Sequence, residues 1–227
     1  MDLIKYGCIN RTAIVHTLKE KGVCMMAVQF CESKTKENLM KAFAGESQAR
    51  NRYTFAAKKA RELGYESIAQ VFEFTAEQER AHGERYYQLL NSLAGETVTV
   101  DGTYPVDIAE DICELLDKAE HNEFEEYEHV YPQFAQIAKE EGFLEAASTF
   151  TMIGEVEQMH GKRFRKLAEL LRANQFDKST EEEKWMCLNC GYIHTGTQVP
   201  PNCPSCHYEK GYFIPLSFAP FQGNIVC

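Results

Sequence analysis

The chain has 227 residues and a net charge of −10, from 34 acidic against 24 basic side chains. That acid excess excludes the electrostatic footprint of a nucleic-acid binder or of a protein held on anionic lipid. No apolar run reaches the length of a membrane span. The length exceeds what one four-helix domain needs, so one domain with a small appendage is expected.

Residues 1–34 read as an N-terminal extension with one short apolar patch at 23–30, after Lys19 and Lys21. No clear cleavage site follows, which argues against a signal peptide. An organelle-targeting leader, or an over-extended reading frame with its working start at Met25 or Met26, is the better reading. Four helical stretches follow, near 35–63, 65–93, 107–141 and 143–173. Gly64 and Gly142 mark tight turns, while 95–105 breaks the helical pattern and makes one long crossover. Short, long, short is the connection order of a ferritin-like bundle, expected over 35–175. Pro132 lies inside the third stretch and is expected to kink it by removing a backbone donor.

The two hairpins repeat one another at an offset of 78 residues. Tyr53, Ala57, Gly64, Phe72, Glu79, His82, Gly83, Arg85 and Leu89 recur as Tyr131, Ala135, Gly142, Phe150, Glu157, His160, Gly161, Arg163 and Leu167. Chance likeness between amphipathic helices accounts for alanine and leucine but not for Glu, His and Gly in one register. A duplicated hairpin, and a bundle with approximate two-fold symmetry, are expected.

Each helix carries acid in its apolar stripe. The second reads Ile68, Phe72, Thr75, Glu79, His82, Tyr86, Leu89, and the fourth Ala146, Phe150, Ile153, Glu157, His160, Phe164, Leu167. The first places Glu46 between Ala42 and Ala49. The third runs Leu116, Ala119, Glu123, Glu126, Val130, Phe134, Ile137. An unpaired buried carboxylate costs several kcal/mol or protonates, on the order of the transfer penalties known for such groups. Two divalent cations remove the difficulty. A Glu-x-x-His pair from each of two helices, with one Glu from each of the other two, is the ligand pattern of di-iron and di-manganese carboxylate bundles. The spacing puts each pair on one helix face, and the donor set suits iron or manganese. Glu126, one acid beyond that pattern, is expected to supply a negative charge when the metals are oxidised, unless it belongs to the solvated acidic run 123–128.

After 173 the composition changes. Residues 177–184 read as a polar linker, 181–216 as a small domain and 217–227 as a tail. Of nine cysteines, Cys8, Cys24, Cys31, Cys113 and Cys227 are scattered, whereas Cys187, Cys190, Cys203 and Cys206 form two CxxC pairs twelve residues apart. Four thiolates so spaced make a tetrahedral site for zinc or a single iron, and an odd total with no pairing logic points to a reducing compartment. Gly191 is expected at positive φ, letting backbone N–H groups approach the sulfurs.

The stretch 41–53 (KAFAGESQARNRY), then AEQERAH at 76–82, EFEEY at 123–127 with Tyr131-Pro132, and EQMH at 157–160 resemble, in order, the metal motifs of the rubrerythrins. Residues 185–213 resemble their rubredoxin-like domain. The resemblance implies an all-α ferritin-like four-helix bundle with a small C-terminal rubredoxin-like metal domain. It implies di-iron ligands at Glu46, Glu79, His82, Glu123, Glu126, Glu157 and His160, and one iron at Cys187, Cys190, Cys203 and Cys206. Tyr53 and Tyr131 fall where tyrosines stand behind those ligands. It further implies reduction of hydrogen peroxide to water in oxidative-stress defence. Electrons would come from an NAD(P)H-dependent reductase or a rubredoxin through the cysteine-bound iron, in a cytoplasmic homodimer. The chain has no dinucleotide-binding glycine motif of its own. The rival readings are a ferroxidase or iron-handling protein, for which an electron relay is superfluous, and a di-iron oxidase or oxygenase, which needs a cavity for an organic substrate.

Overall fold

The computed structural model describes residues 28–220; most of the N-terminal extension and the end of the tail lie outside the described residues. Five α-helices make an antiparallel four-helix bundle: α1 (Lys34–Glu62), α2 (Glu66–Leu89), α3 (Ile112–Glu125), α4 (Tyr131–Glu140) and α5 (Leu144–Arg172). α3 and α4 are one leg, joined by a π-helical turn at Glu126–Val130. α1 packs on α2, and α3 and α4 pack on α5. Among the described residues no helix is long and apolar enough to cross a membrane.

Local chemistry sets the ends of these helices. The Ser33 hydroxyl accepts from Lys36 N–H and caps α1, while Phe30, the last apolar residue of the extension, packs edge-on against Phe143. Both hairpins turn on a glycine in the left-handed region, Gly64 at φ +83° and Gly142 at φ +88°. The next N–H, of Tyr65 or Phe143, then bonds back to the carbonyl of Ala60 or Ala138, the closure that only a residue without Cβ makes cheaply.

Two expectations for the third stretch are corrected. It starts at Ile112, not at 107, because the Asp107 carboxylate is occupied by Arg52 and Asn122, and Asp111 caps the helix by accepting from Cys113 and Glu114 N–H. Nor does Pro132 simply kink a continuous helix. Tyr131 N–H reaches five residues back to Glu126 O, and Pro132 falls in the first turn of α4, where its missing donor costs nothing. The π-turn adds one residue to the turn, so the buried face beyond it runs through Tyr131 and Ala138 rather than Val130 and Ile137.

The small C-terminal domain is a three-stranded antiparallel sheet of order β2-β1-β3, from β1 (Lys178–Cys187), β2 (Ile193–Gln198) and β3 (Phe213–Pro215). The polar linker read at 177–184 is therefore mostly strand. Lys178 pairs with Gln198 and Glu183 with Gly196, with a bulge between them, and the exposed face carries the charge that made the segment look unstructured. Trp185, 2% exposed, donates from Nε1 to Phe176 O at 2.9 Å. Phe176 and Ile214 are buried in the bundle's own core, with Leu188, Phe218 and Ala219 packed against it. The first residues of the tail thus belong to the domain contact.

That contact closes on a glycine. A Cβ at Gly211 would lie 2.1 Å from Gly64 O, in the α1–α2 turn. A backbone carbonyl cannot swing aside as a flexible side chain does. Gly211→Ala is expected to lift the small domain off the bundle while leaving its cysteine site intact. Limited proteolysis near residues 173–178 should accelerate by severalfold with an unchanged visible spectrum. Cleavage at the wild-type rate would show the contact to be dispensable.

Candidate metal centres

Two apolar layers fill the bundle. One is built from Tyr53, Phe72, Leu116 and Phe164, the other from Leu39, Tyr86, Tyr131 and Phe150. The acids lie between them. α1 contributes Glu46, α2 Glu79 and His82, α3 Glu123, and α5 Glu157 and His160. All four carboxylates and His160 are buried, and 12% of the His82 side chain reaches solvent.

The cluster has two halves. His82 Nδ1 lies 3.0 Å from Glu157 Oε1, 3.1 Å from Glu79 Oε2 and 3.8 Å from Glu46 Oε2. His160 Nδ1 lies 2.8 Å from Glu157 Oε2, 3.1 Å from Glu79 Oε1 and 3.4 Å from Glu123 Oε2. Glu79 and Glu157 thus offer one oxygen to each half, and Glu46 and Glu123 each serve a single half. Within each four-residue group the ligand atoms all lie within 4.8 Å of one another.

Those atoms are close without being satisfied. Glu46 Oε2, Glu79 Oε1, Glu123 Oε2, both oxygens of Glu157 and His160 Nδ1 have no hydrogen-bond partner of proper geometry. Donor atoms aimed at a shared point rather than at each other fit two cations. The oxygen and imidazole set fits iron.

Electrostatics without metal shows the same need. Burial, with the charges of Glu157 and Glu79, drives Glu46 well above the usual carboxylate range. Burial and the Glu79 charge push Glu123 up to about 8. Burial also opposes ionisation of Glu79, but the adjacent imidazoles of His160 and His82 hold it at about 2. Burial would lower His160, yet the nearby carboxylates of Glu123, Glu157 and Glu79 raise it to about 12. Without metal the cluster must hold protons in the cations' place.

Two tyrosines cross-brace the site. Tyr53 OH on α1 donates to Glu123 on α3, and Tyr131 OH on α4 donates to Glu46 on α1. Burial lifts both phenols well above their usual value, so they remain donors. Reciprocity requires the π-turn: Tyr53 follows Glu46 by seven residues, but Tyr131 follows Glu123 by eight. The extra residue was legible as the one ligand that breaks the 78-residue offset.

Glu126 stands outside both four-residue groups. It sits half-buried on the π-turn and lines a cavity of about 760 Å³ with Gln48, Arg52, Asn122 and Tyr131, roofed by residues 101–105 of the crossover. Burial and the carboxylates of Glu46, Glu157, Glu123 and Glu79 drive its carboxyl well up, so it adjoins the cluster. Tyr86 was passed over as core. Its hydroxyl is buried without a partner and its ring lies 5.7 Å from that of Tyr131. The same offset places Phe164 opposite, and that break in the repeat was the available signal.

In the small domain Cys187 Sγ lies 3.8 Å from Cys206 Sγ, and Cys190 Sγ 3.7 Å from Cys203 Sγ. A tetrahedron with metal–sulfur bonds of about 2.3 Å has edges of about 3.8 Å, so the thiols stand ready for a single ion. Burial pushes the Cys187 thiol up to about 12, against hydrogen bonds from Asn189 and Cys190 N–H, whereas the Tyr208 N–H and Asn189 bring Cys206 down to about 6. Gly191 has φ +78°, as expected, and the residue in the same place after the second pair, His207, has φ +64°.

A four-helix bundle with paired Glu-x-x-His motifs and bridging carboxylates defines a di-iron carboxylate protein of the ferritin-like class. The rubrerythrin family model matches residues 37–168, and that of the rubrerythrin rubredoxin-like domain matches 185–214. The chain is 43% identical over 182 residues to rubrerythrin of Clostridium perfringens, spanning 80% of this chain and 93% of that protein. It is 42% identical over 184 residues to rubrerythrin of Porphyromonas gingivalis, spanning 81% and 90%. Among solved structures it is similar to fully reduced, all-ferrous nigerythrin, with 32% identity and a TM-score of 0.55 over 90% of this chain and 98% of that one. The chain belongs to the rubrerythrin family.

Two outcomes follow from this geometry. Raised folded-state values at Glu46, Glu123 and His160 mean that the metal-free fold binds protons more tightly than the unfolded chain. Their stabilisation is complete below the unfolded carboxylate value and is lost as pH rises, through about 8 for Glu123. Metal-free protein should therefore lose melting temperature from about pH 4.5 to 8, and metal-loaded protein should not; equal slopes would contradict the assignment. His207→Gly should raise the stability of the small domain by up to about 1 kcal/mol, as read by urea denaturation, because the roughly 1–2 kcal/mol of left-handed strain it relieves exceeds what glycine's extra freedom in the unfolded chain costs, about 0.4–1 kcal/mol.

Proposed function

We propose that the chain is a peroxidase that reduces hydrogen peroxide to two waters, consuming two electrons and two protons. The observation that carries this reading is the coexistence, in one chain, of the carboxylate–histidine cluster with a four-cysteine site. A pair of ferrous ions held by Glu46, Glu79, His82, Glu123, Glu157 and His160 would supply the two electrons. A cysteine-bound iron, rather than zinc, would return them one at a time. Ferroxidase action needs no such relay, since the incoming ferrous ion is its own reductant. An oxygenase acting on an organic substrate would favour an enclosed pocket, whereas the cavity beside Glu126 is open and mixes Lys41, Arg52 and His129 with Ala42, Val130 and Phe134.

The chain's own residues divide the work. The cavity beside Glu126 would admit a small oxidant to the cluster. Tyr131 and Tyr53 hold Glu46 and Glu123 in place and keep protons beside the oxygens that leave as water. Glu126 stands close enough to bring a further negative charge as the metals lose electrons. The small domain docks on the α1–α2 turn, while Glu79 lies fifteen residues further along α2, about 22 Å at the helical rise. So long a path favours a homodimer in which the cysteine centre of one chain serves the cluster of its partner. An NAD(P)H-dependent reductase or a rubredoxin would be the outside donor, and a reducing, cytoplasmic setting suits the free cysteines.

Purified protein with an electron donor should consume peroxide in preference to dioxygen or ferrous ion. Glu126→Ala should slow that turnover by about tenfold or more, the usual effect of removing a group that supports a metal site, with two bundle irons still bound. Wild-type turnover in this variant would remove Glu126 from the reaction.

A further inference from the structure

One apolar layer of the bundle holds a group that packing does not require. Tyr86 on α2 is wholly buried, and among the described residues its hydroxyl has no hydrogen-bond partner of proper geometry. The 78-residue offset carries Tyr86 to Phe164, which fills the matching place in the other layer with a bare ring. Phe164 lies 5.3 Å from the ring of Tyr53, and Tyr86 lies 5.7 Å from that of Tyr131, so each backs one of the two bracing tyrosines. Packing there calls for an aromatic ring. The added hydroxyl is destabilising unless something accepts its proton.

Few acceptors can meet that proton. Leu39, Leu90, Phe150 and Ile153, in the same layer, carry no polar atom on their side chains. Carbonyls in the middle of the surrounding helices already accept within their own ladders. What remains lies toward the cluster. The Tyr131 hydroxyl acts on the Tyr86 phenol at contact range, and the carboxylates of Glu46, Glu157 and Glu126 act on it through their charge. Burial and these charges hold the phenol well above its usual value, so it keeps its proton. The free oxygens of Glu46 and Glu157 converge on His82 and His160. Tyr131 directs its own donor to Glu46. A phenol can accept as well as donate, which leaves the Tyr131 oxygen as the open acceptor beside Tyr86.

We infer that Tyr86 is a positioning residue that acts through Tyr131: its hydroxyl donates to the Tyr131 oxygen and holds that phenol in the orientation that serves Glu46. A donor behind Tyr131 opposes the reversed arrangement, in which Tyr131 turns its proton to Tyr86 and leaves Glu46 unbraced. Hydrogen bonds in series also polarise one another, so the bond from Tyr131 to Glu46 is strengthened. The pairing stands on the fold, while its effect on turnover rests on the peroxidase reading above. Under that reading the two phenols keep the Tyr131 proton beside the cluster, where the reaction consumes protons.

The test is a double-mutant cycle on the full-length chain: wild type, Tyr86→Phe, Tyr131→Phe and the double variant. Each is loaded with ferrous ion for peroxide turnover with an electron donor, and each is unfolded in urea without metal. Tyr86→Phe should fold and take up metal like wild type, because Phe164 shows that such a layer accepts the bare ring. Its turnover should nonetheless fall by about tenfold, the low end of the range for removing an outer partner. In the Tyr131→Phe background the same change should alter turnover by less than about twofold, since the group it acts through is gone. Unfolding should show a coupling of about fivefold in the equilibrium constant, as for residues in contact. A crystal structure of the loaded wild type should place the two phenol oxygens about 2.7 Å apart, which decides the matter if Tyr131→Phe fails to fold. Tyr86→Phe at the wild-type rate, equal slowing in both backgrounds, additive unfolding, or phenol oxygens more than about 3.5 Å apart would each overturn the inference. Wild-type protein that consumes no peroxide would instead refute the peroxidase reading, with the unfolding cycle and the oxygen–oxygen distance still judging the pairing.

Discussion

Four carboxylates held within a few ångströms of one another, inside a dry bundle, are the constraint to which the rest of the molecule answers. Charge so placed costs more than a small domain's whole net stability unless cations or protons neutralise it. The apolar layers on either side raise that cost by excluding water, and so raise the selectivity for a bound ion. Histidine Nδ1 atoms, tyrosine hydroxyls and the bridging pair Glu79 and Glu157 are arranged around the same small volume. With cations in place this is a tightly cross-linked centre; without them it is a set of proton-sharing contacts.

The internal repeat supplies the symmetry of that centre, and the departures from the repeat supply its polarity. One extra residue in the third leg becomes the π-turn, which keeps Tyr131 aimed at Glu46 and carries Glu126 to the cavity wall. π-Turns of this kind recur at functional sites because they re-aim side chains within an otherwise continuous helix. Tyr86, where the repeat places Phe164, sets a further hydroxyl beside Tyr131.

The cysteine domain is joined to this centre by packing as well as by the chain. Phe176, Ile214, Leu188 and Phe218 extend the bundle's core beneath the small sheet, and Gly211 lies against the α1–α2 turn. The sulfurs hold a tetrahedral spacing that suits a single ion with little rearrangement. The electron relay proposed above would gain from that rigidity, since a site that barely moves on reduction reorganises little.

How much of this was written in the chain depends on the range of each interaction. Periodicity and glycine placed the hairpins, since helix faces and left-handed turns are local properties of the backbone. Glu-x-x-His in an apolar stripe marked Glu79, His82, Glu157 and His160, because burial of acid is costly enough to leave an unmistakable pattern. The CxxC pairs needed no fold at all to be recognised. The start of α3 was misjudged because Asp107 looks like a cap until Arg52 and Asn122, distant in sequence, are seen to occupy it. The strand at Lys178–Cys187 was hidden because its exposed first half carries the same charges as a linker. The π-turn left only a broken register in the sequence, and whether Glu126 faces the cluster's cavity or open solvent was decided by tertiary structure, because contacts between helices depend on which side chains meet and no local spacing records that.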